Sequence, residues 1–189
     1  RPLWRASGEN SKPYVDYTAS GSRLWVDNPG AHSTPMTQYM VIAAVTSATQ
    51  NGKKLALGTS HISYGHQTPG SGYDNNIATS FSSDGDVYWG EQSPSMQSLT
   101  VQIIQIEFAG TALPVLRVNG GSAATRTTTA SAAEDDWTAA SGTNMFWGVW
   151  GGATFVSYDY LVIGNVTHDA DTVFSYLGDK YGITVEAVS

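Results

Sequence analysis

Apolar residues in this chain come in short runs, each closed by Gly, Pro, Asn or Asp, and one segment alone has the longer period of a helix. Such punctuation predicts strands and turns. Tyr39 to Thr46 (YMVIAAVT) is apolar on both faces, the pattern of a strand buried in the middle of a sandwich. Arg23 to Asp27 instead alternates, with Leu24 and Val26 on one side and Arg23, Trp25 and Asp27 on the other. Asn28-Pro29-Gly30 ends that strand. Asn51-Gly52 predicts a tight hairpin turn, with Lys54 to Gly58 leading out of it. Residues 59–76, rich in Gly, Ser, His and Tyr, read as loop.

Ile77 to Ser82 and Asp86 to Trp89 read as two short strands about Ser83-Asp84-Gly85. Along Leu99 to Phe108 the apolar phase flips between Ile103 and Ile104, which predicts either a bulge or a strand passing between two environments. Leu113 to Val118 followed by Asn119-Gly120-Gly121 is another hairpin signal, and residues 122–133 (SAATRTTTASAA) predict an exposed strand edge or loop. Met145 to Trp150 and Val156 to Ile163 close the β pattern. Residues 1–20 are polar and turn-rich and predict an irregular lead-in, with Trp4 and Tyr14 as anchors.

The helix comes last. Val173, Phe174, Leu177 and Tyr181 fall on one stripe at helical spacing, with Asp169 and Asp171 in the first turn, Lys180 in the last and Gly182 where the helix should stop. A helix over 168–182 is predicted. The expected fold is all-β: a two-sheet antiparallel β-sandwich of jelly-roll type, one domain over 1–189, with one short C-terminal helix.

Composition narrows the function. Charged residues are 13% of the 189, about half the usual share, and the net charge is −7. Nine scattered Lys and Arg cannot make the basic patch that nucleic acid requires, so nucleic acid is excluded as a partner. An anionic membrane surface is disfavoured for the same reason. The longest apolar run, Met40 to Val45, falls far short of the ~18–20 residues that span a bilayer, so no membrane insertion is expected. Without cysteine there are no disulfides, thiolate metal sites or thiol nucleophiles. The first residue is Arg1 rather than Met, so the chain is expected to be processed or part of something longer.

The stretch from Tyr158 to Ile183 (YDYLVIGNVTHDADTVFSYLGDKYGI) resembles the closing segment of laminin-G-like jelly rolls in the concanavalin A-like lectin/glucanase superfamily. Its helix ends in Tyr176, Leu177, Lys180, Tyr181 and Gly182, similar to the Tyr-Leu-x-x-Lys-Tyr-Gly close of bacterial and phage members. Val115 to Gly120 (VLRVNG) is similar to the family's strand and Asn-Gly turn, and Pro35 to Val45 to its buried strand. The resemblance spans residues 20–185. It implies a sugar-binding module, a glycan-cleaving enzyme, or an adhesive or capsid-type structural module.

The residues discriminate among these. Retaining glycosidases need two carboxylates about 5–5.5 Å apart. The glucanase branch carries them as Glu-x-Asp-x-(x)-Glu, and none of the five Glu (Glu9, Glu91, Glu107, Glu134, Glu186) has a partner at that spacing. The Gln-x-His strand of the lyase branch is absent as well. Gly70-Ser71-Gly72 and Gly151-Gly152 lack the context of a phosphate cradle. The sequon Asn165-Val166-Thr167 would matter only in a eukaryotic secretory host. No cofactor is required by this reading. Calcium is the metal expected if one is bound, with Asp74, Asp84 and Asp86 as loop ligands, against the plainer reading of Asp84-Gly85-Asp86 as a polar turn.

Sugar recognition asks for aromatic faces beside amides and carboxylates. His61, Tyr64, His66, Tyr73, Asn75, Asn76, Tyr88 and Trp89 supply that mixture between residues 61 and 92, and Trp25 and Trp137 extend it. One of Trp147 and Trp150 is expected in the core, whereas Trp25 lies on the wetter side of its strand. The expected function is a non-catalytic carbohydrate-binding or adhesion module, extracellular, on a cell surface or on a virion, with a glycan or polysaccharide as partner. The alternatives are a structural module of a virion or appendage, such as a phage tail fibre or capsid decoration domain contacting neighbouring subunits, and a divergent hydrolase or lyase.

Overall fold

The computed structural model describes the backbone of residues 3–17, 23–26, 36–44, 54–58, 63–66, 77–81, 85–89, 100–108, 115–124, 126–128, 145–150, 155–164 and 167–189. Among them lie thirteen strands and one α-helix. One sheet has the order β1 (Leu3–Arg5), β2 (Tyr14–Tyr17), β13 (Phe155–Gly164), β4 (Met36–Ala44), β9 (Gln102–Phe108) and β10 (Val115–Val118). A second runs β3 (Arg23–Val26), β12 (Met145–Trp150), β5 (Lys54–Gly58), and a third β11 (Arg126–Thr128), β8 (Gly85–Trp89), β7 (Ile77–Phe81), β6 (Ser63–His66). All pairings within these sheets are antiparallel. The edge strands β5 and β6 of the two smaller sheets run side by side.

The doubly apolar β4 sits inside the six-stranded sheet, between β13 and β9, buried from Thr37 to Ala43. Alternate residues serve two separate cores. Tyr39, Val41 and Ala43, with Val101 and Ile103 in register beside them, meet Phe174, Leu177 and Tyr181 of α1 (Ala170–Tyr181). Met40, Ile42, Ile104, Ile106, Leu116 and Val118 fill the opposite face and are equally buried. The phase flip at Ile103–Ile104 is thus a strand with a core on each side. Its pairing with β4 runs without interruption from Met36↔Phe108 to Ile42↔Gln102.

The bulge lies on β13, between Ser157 and Asp159. Val156 and Tyr158 both pack on the helix-side core, and Asp159, paired with Val41, reaches Lys180 and Tyr181 of α1. The extra residue brings Tyr158 and Asp159 side by side toward the helix.

The helix has the ends its sequence predicts. Asp169 caps it, accepting from Asp171 N at 3.1 Å and Thr172 Oγ1 at 2.6 Å, and Gly182 closes it in the left-handed conformation at φ 69°.

Several expectations are corrected. The lead-in is not irregular: β1 and β2 pair, with a 3-10 turn at Glu9–Ser11 between them. Within that turn Asn10 (φ 47°) donates from Nδ2 to Lys180 O, so the N-terminal segment clasps the last turn of α1. Polar composition hid these strands because β1 is an exposed edge strand. Residues 63–66, expected as loop, form β6. Asn51 and Gly52 lie outside the described residues, and the strands on either side of them, β4 and β5, belong to different sheets and so make no hairpin. Asn119-Gly120-Gly121 turns the chain back on β10, Ala124 N donating to Leu116 O at 2.9 Å, but the next strand, β11, pairs with β8 rather than β10. All three residues have positive φ, and they receive the C-terminal segment: Glu186 N donates to Asn119 O at 2.9 Å and Gly121 N to Glu186 O at 3.2 Å. A Cβ at Gly120 would collide with the Glu186 carbonyl. Among the described residues, no helix is long and apolar enough to cross a membrane.

Candidate functional site

Residues paired across neighbouring strands share a face of the sheet. Along β3, β12 and β5 this puts Leu24, Val26, Leu55, Leu57, Met145, Trp147 and Val149 in one set of positions. Arg23, Trp25, Lys54, Ala56, Gly58, Phe146, Gly148 and Trp150 form the other. The first set is wholly apolar and suits burial. The second sets the cations Arg23 and Lys54 in the same group of positions as Trp25, Phe146 and Trp150. Trp25 and Phe146 are directly paired, with Gly58 on the other side of Phe146.

The same pairing sorts β6, β7 and β8. Tyr64, His66, Ile77, Thr79, Phe81, Val87 and Trp89 share one parity, and Ser63, Gly65, Ala78, Ser80, Asp86 and Tyr88 the other. The first set is the more apolar within these three strands, and β11 adds Arg126 opposite Trp89. The second is small and polar, with Tyr88 as its one aromatic.

The expected binding residues therefore separate. Trp25 shares its parity with Arg23, Phe146 and Trp150, and Tyr88 and Asp86 share theirs with Ser63, Gly65, Ala78 and Ser80. Tyr64, His66 and Trp89 keep company with Ile77, Phe81 and Val87 at the opposite parity. His61, Tyr73, Asp74, Asn75, Asn76, Asp84 and Trp137 lie outside the described residues. Of the three carboxylates considered for calcium, Asp86 alone has a described position. Among the described residues, no group of three or more His, Asp or Glu is placed to hold a metal.

Sequence reasoning did not select Phe146, Arg23 or Lys54. Met145 to Trp150 is apolar at nearly every position, so it carries no phase of its own. Only pairing with Leu24 and Val26 assigns Trp147 to the apolar set and Phe146 and Trp150 to the other.

A polar constellation occupies the helix side of the six-stranded sheet. Arg117 Nη1 donates to Gln105 Oε1 at 3.2 Å, and Gln105 Nε2 donates to the Tyr39 hydroxyl at 2.9 Å. Tyr39 Oη lies 2.8 Å from His168 Nε2. Guanidinium can only donate, which fixes the orientation of the Gln105 amide and leaves the Tyr39 proton for His168. Nε2 of His168 is thereby an acceptor, occupied from within the protein. Burial pushes the Tyr39 hydroxyl up to about 12, partly opposed by the Gln105 hydrogen bond.

Nearby, Lys180 Nζ lies 2.8 Å from Asp159 Oδ2, a hydrogen bond that raises the ammonium above its ordinary range. The Tyr181 hydroxyl also donates to Asp159, at 3.2 Å. Burial, then the charge of Asp159, raises Tyr181. Apart from the buried Arg117 Nε, which has no hydrogen-bond partner, these groups bond to one another, so the constellation reads as a fastening of the helix to the sheet.

No protein-family model matches the sequence, and no curated protein matches it either. Solved structures do. The binding domain of botulinum neurotoxin serotype D aligns with TM-score 0.62 and 12% identity, over 93% of this chain and 44% of that one. The receptor-binding domain of botulinum neurotoxin type G aligns with TM-score 0.61 and 11% identity, over 96% and 44%. The globular domain of T. cruzi calreticulin gives TM-score 0.58 and 9% identity, over 97% and 85%. The chain spans less than half the length of the toxin domains it matches. At these identities the likeness is one of fold alone.

Proposed function

We propose that this chain is a two-layered jelly roll of the concanavalin A-like type that binds glycan, without catalysis, on the open face of the layer β3-β12-β5-β6-β7-β8-β11. The observation that carries the reading is the sorting by register. Trp25, Phe146 and Trp150 share one parity with Ala56, Gly58 and Gly148 in one sheet, and Tyr88 and Asp86 share one with Ser63, Gly65, Ala78 and Ser80 in the other. Ala, Gly and Ser occupy these positions of the middle strands, and aromatic residues suit the apolar faces of pyranose rings. The continuity of the layer is supported by β5 and β6 lying side by side. The buried Met40–Ile104–Leu116 face of the six-stranded sheet is the face this reading assigns to the second layer.

The fold neighbours include domains whose names declare receptor binding, which supports a binding role at that coarse level. An extracellular or surface location goes with this reading. No metal is required for binding at the sheet face, and calcium, if used, serves the Asp74 and Asp84 segments.

A glycan-array screen of the folded protein, with calcium and again with chelator, tests the reading. Saturable binding to a related set of glycans, lost on Trp25→Ala with unchanged melting temperature, is expected. Loss in chelator would move the site to the carboxylate segments. A blank array in both conditions would favour a structural module that contacts neighbouring subunits.

A further inference from the structure

We infer that β1 is a self-pairing edge: two copies of this chain join through it, antiparallel about a two-fold axis at Trp4, so that their six-stranded sheets become continuous. β1 ends its sheet, and Leu3, Trp4 and Arg5 are all exposed. At 68% exposed, Trp4 is the most open large apolar side chain among the described residues, and Leu3 beside it is 48% exposed. A strand with its backbone edge and both faces open is a template for another strand. The opposite edge of the sheet is occupied. Ala124 N donates to Leu116 O at 2.9 Å and Gly120 bridges to Glu186, so β10 has its outer side covered. One open edge that pairs with itself gives a closed dimer rather than a filament.

The occupant is a second copy because β1 is complementary to itself. With Trp4 opposite the second copy's Trp4, the two rings form a cross-strand aromatic pair. Leu3 then lies opposite the second copy's Arg5. Within one copy Leu3 is paired with Asp16, and Arg5 with Tyr14. One row across the joined sheet therefore runs Asp16, Leu3, then Arg5 of the second copy. The outer two backbones are roughly 10 Å apart, a span that an arginine stem lying along Leu3 can cover. Asp16 is short of positive charge. Its side chain is 10% exposed, its Oδ1 has no hydrogen-bond partner among the described residues, and Arg5 meets Oδ2 only at 3.4 Å, long for a charged pair. The Arg5 side chain is 50% exposed, open to a second carboxylate. Pairing across the axis thus sets two arginines beside two aspartates, a balanced group of four charges.

Sedimentation of the full chain from about 1 µM to about 1 mM tests the pairing, which does not depend on what the other layer binds. A contact of three residues a side is small, so dimers are expected toward the upper end of that range. Trp4→Lys sets like charges against each other on the axis and should raise the dissociation constant about tenfold or more, with its melting temperature kept. Arg5→Gln should weaken the dimer and remove its sensitivity to salt. The chain has no cysteine, so Trp4→Cys carries a single thiol, placed to form a disulfide with its symmetry mate. On oxidation it should cross-link faster than Tyr176→Cys, whose thiol is exposed on α1. A chain monomeric throughout the range, a dimer indifferent to Trp4→Lys, or association that continues past the dimer would overturn the inference. Equal cross-linking of the two thiol variants would overturn the placement of Trp4 on the axis, and the inference with it.

Discussion

Tyr39 is fully buried, yet its hydroxyl joins the interior to the surface: it accepts from Gln105 and gives its proton to His168. The direction of the whole chain is set by Arg117, which has no acceptor to offer. Replacing Tyr39 by Phe strands the Gln105 amide proton and the His168 nitrogen together, and should cost about 1–3 kcal/mol of stability, measured by urea unfolding. The same substitution has a pH signature. The Tyr39 pKa is raised from 10.0 to about 12, so the folded state holds this proton more tightly than the unfolded state. Stability from this group is fully present below pH 10 and falls as the pH climbs from 10 towards 12. Burial of Tyr160 and Tyr181 and the Asp159 bond of Lys180 act with the same sign. Alkaline unfolding above pH 10 is therefore expected, with a shallower slope in Tyr39→Phe; equal slopes would show that the hydroxyl does not carry the linkage.

At the scale of elements, α1 is held by a buried stripe and by both ends of the chain. Phe174→Ala should destabilise the fold by about 3–5 kcal/mol, since Phe174 is 1% exposed and packs edge-on against Tyr39 of the sheet. Gly120→Ala should be costly as well: the position has φ 83° and its Cβ would displace the Glu186 carbonyl, loosening the C-terminal segment. Hydrogen exchange at Gly121 and Glu186 should rise in that variant. Most of these elements were legible. The helix with its Asp169 and Gly182 ends, the doubly buried β4 and the β7–β8 hairpin follow from local periodicity and turn chemistry. What local pattern could not convey was partnership. Asn119-Gly120-Gly121 has the composition of a hairpin turn, and only the return of Glu186 to its backbone shows why its left-handed residues are there. β1 and β2 escaped notice because exposed edge strands bury little and so leave little apolar signature.

For the whole molecule, function depends on which residues the pairing of distant strands gathers on one face. The parity of Trp25 opposite to Leu24 and Val26 was legible from local alternation. Phe146 and Trp150 were not, because β12 is apolar throughout and takes its phase from a strand some 120 residues earlier in the chain. The loop-rich stretch from 61 to 92 was read by composition as a single site, yet register parts Tyr88 from Tyr64, His66 and Trp89. Trp89→Ala is accordingly expected to lower the melting temperature rather than to act on binding alone.

Trp25 and Trp147 offer the most direct test, since they lie on paired strands at opposite parity. Glycan affinity and melting temperature should be measured together on Trp25→Ala and Trp147→Ala. Trp25→Ala should lose binding at least about tenfold with its melting temperature kept, and Trp147→Ala should lose stability by about 3–5 kcal/mol. The reverse pattern, with Trp25→Ala unfolding and Trp147→Ala binding poorly at full stability, would contradict the assignment of the open face.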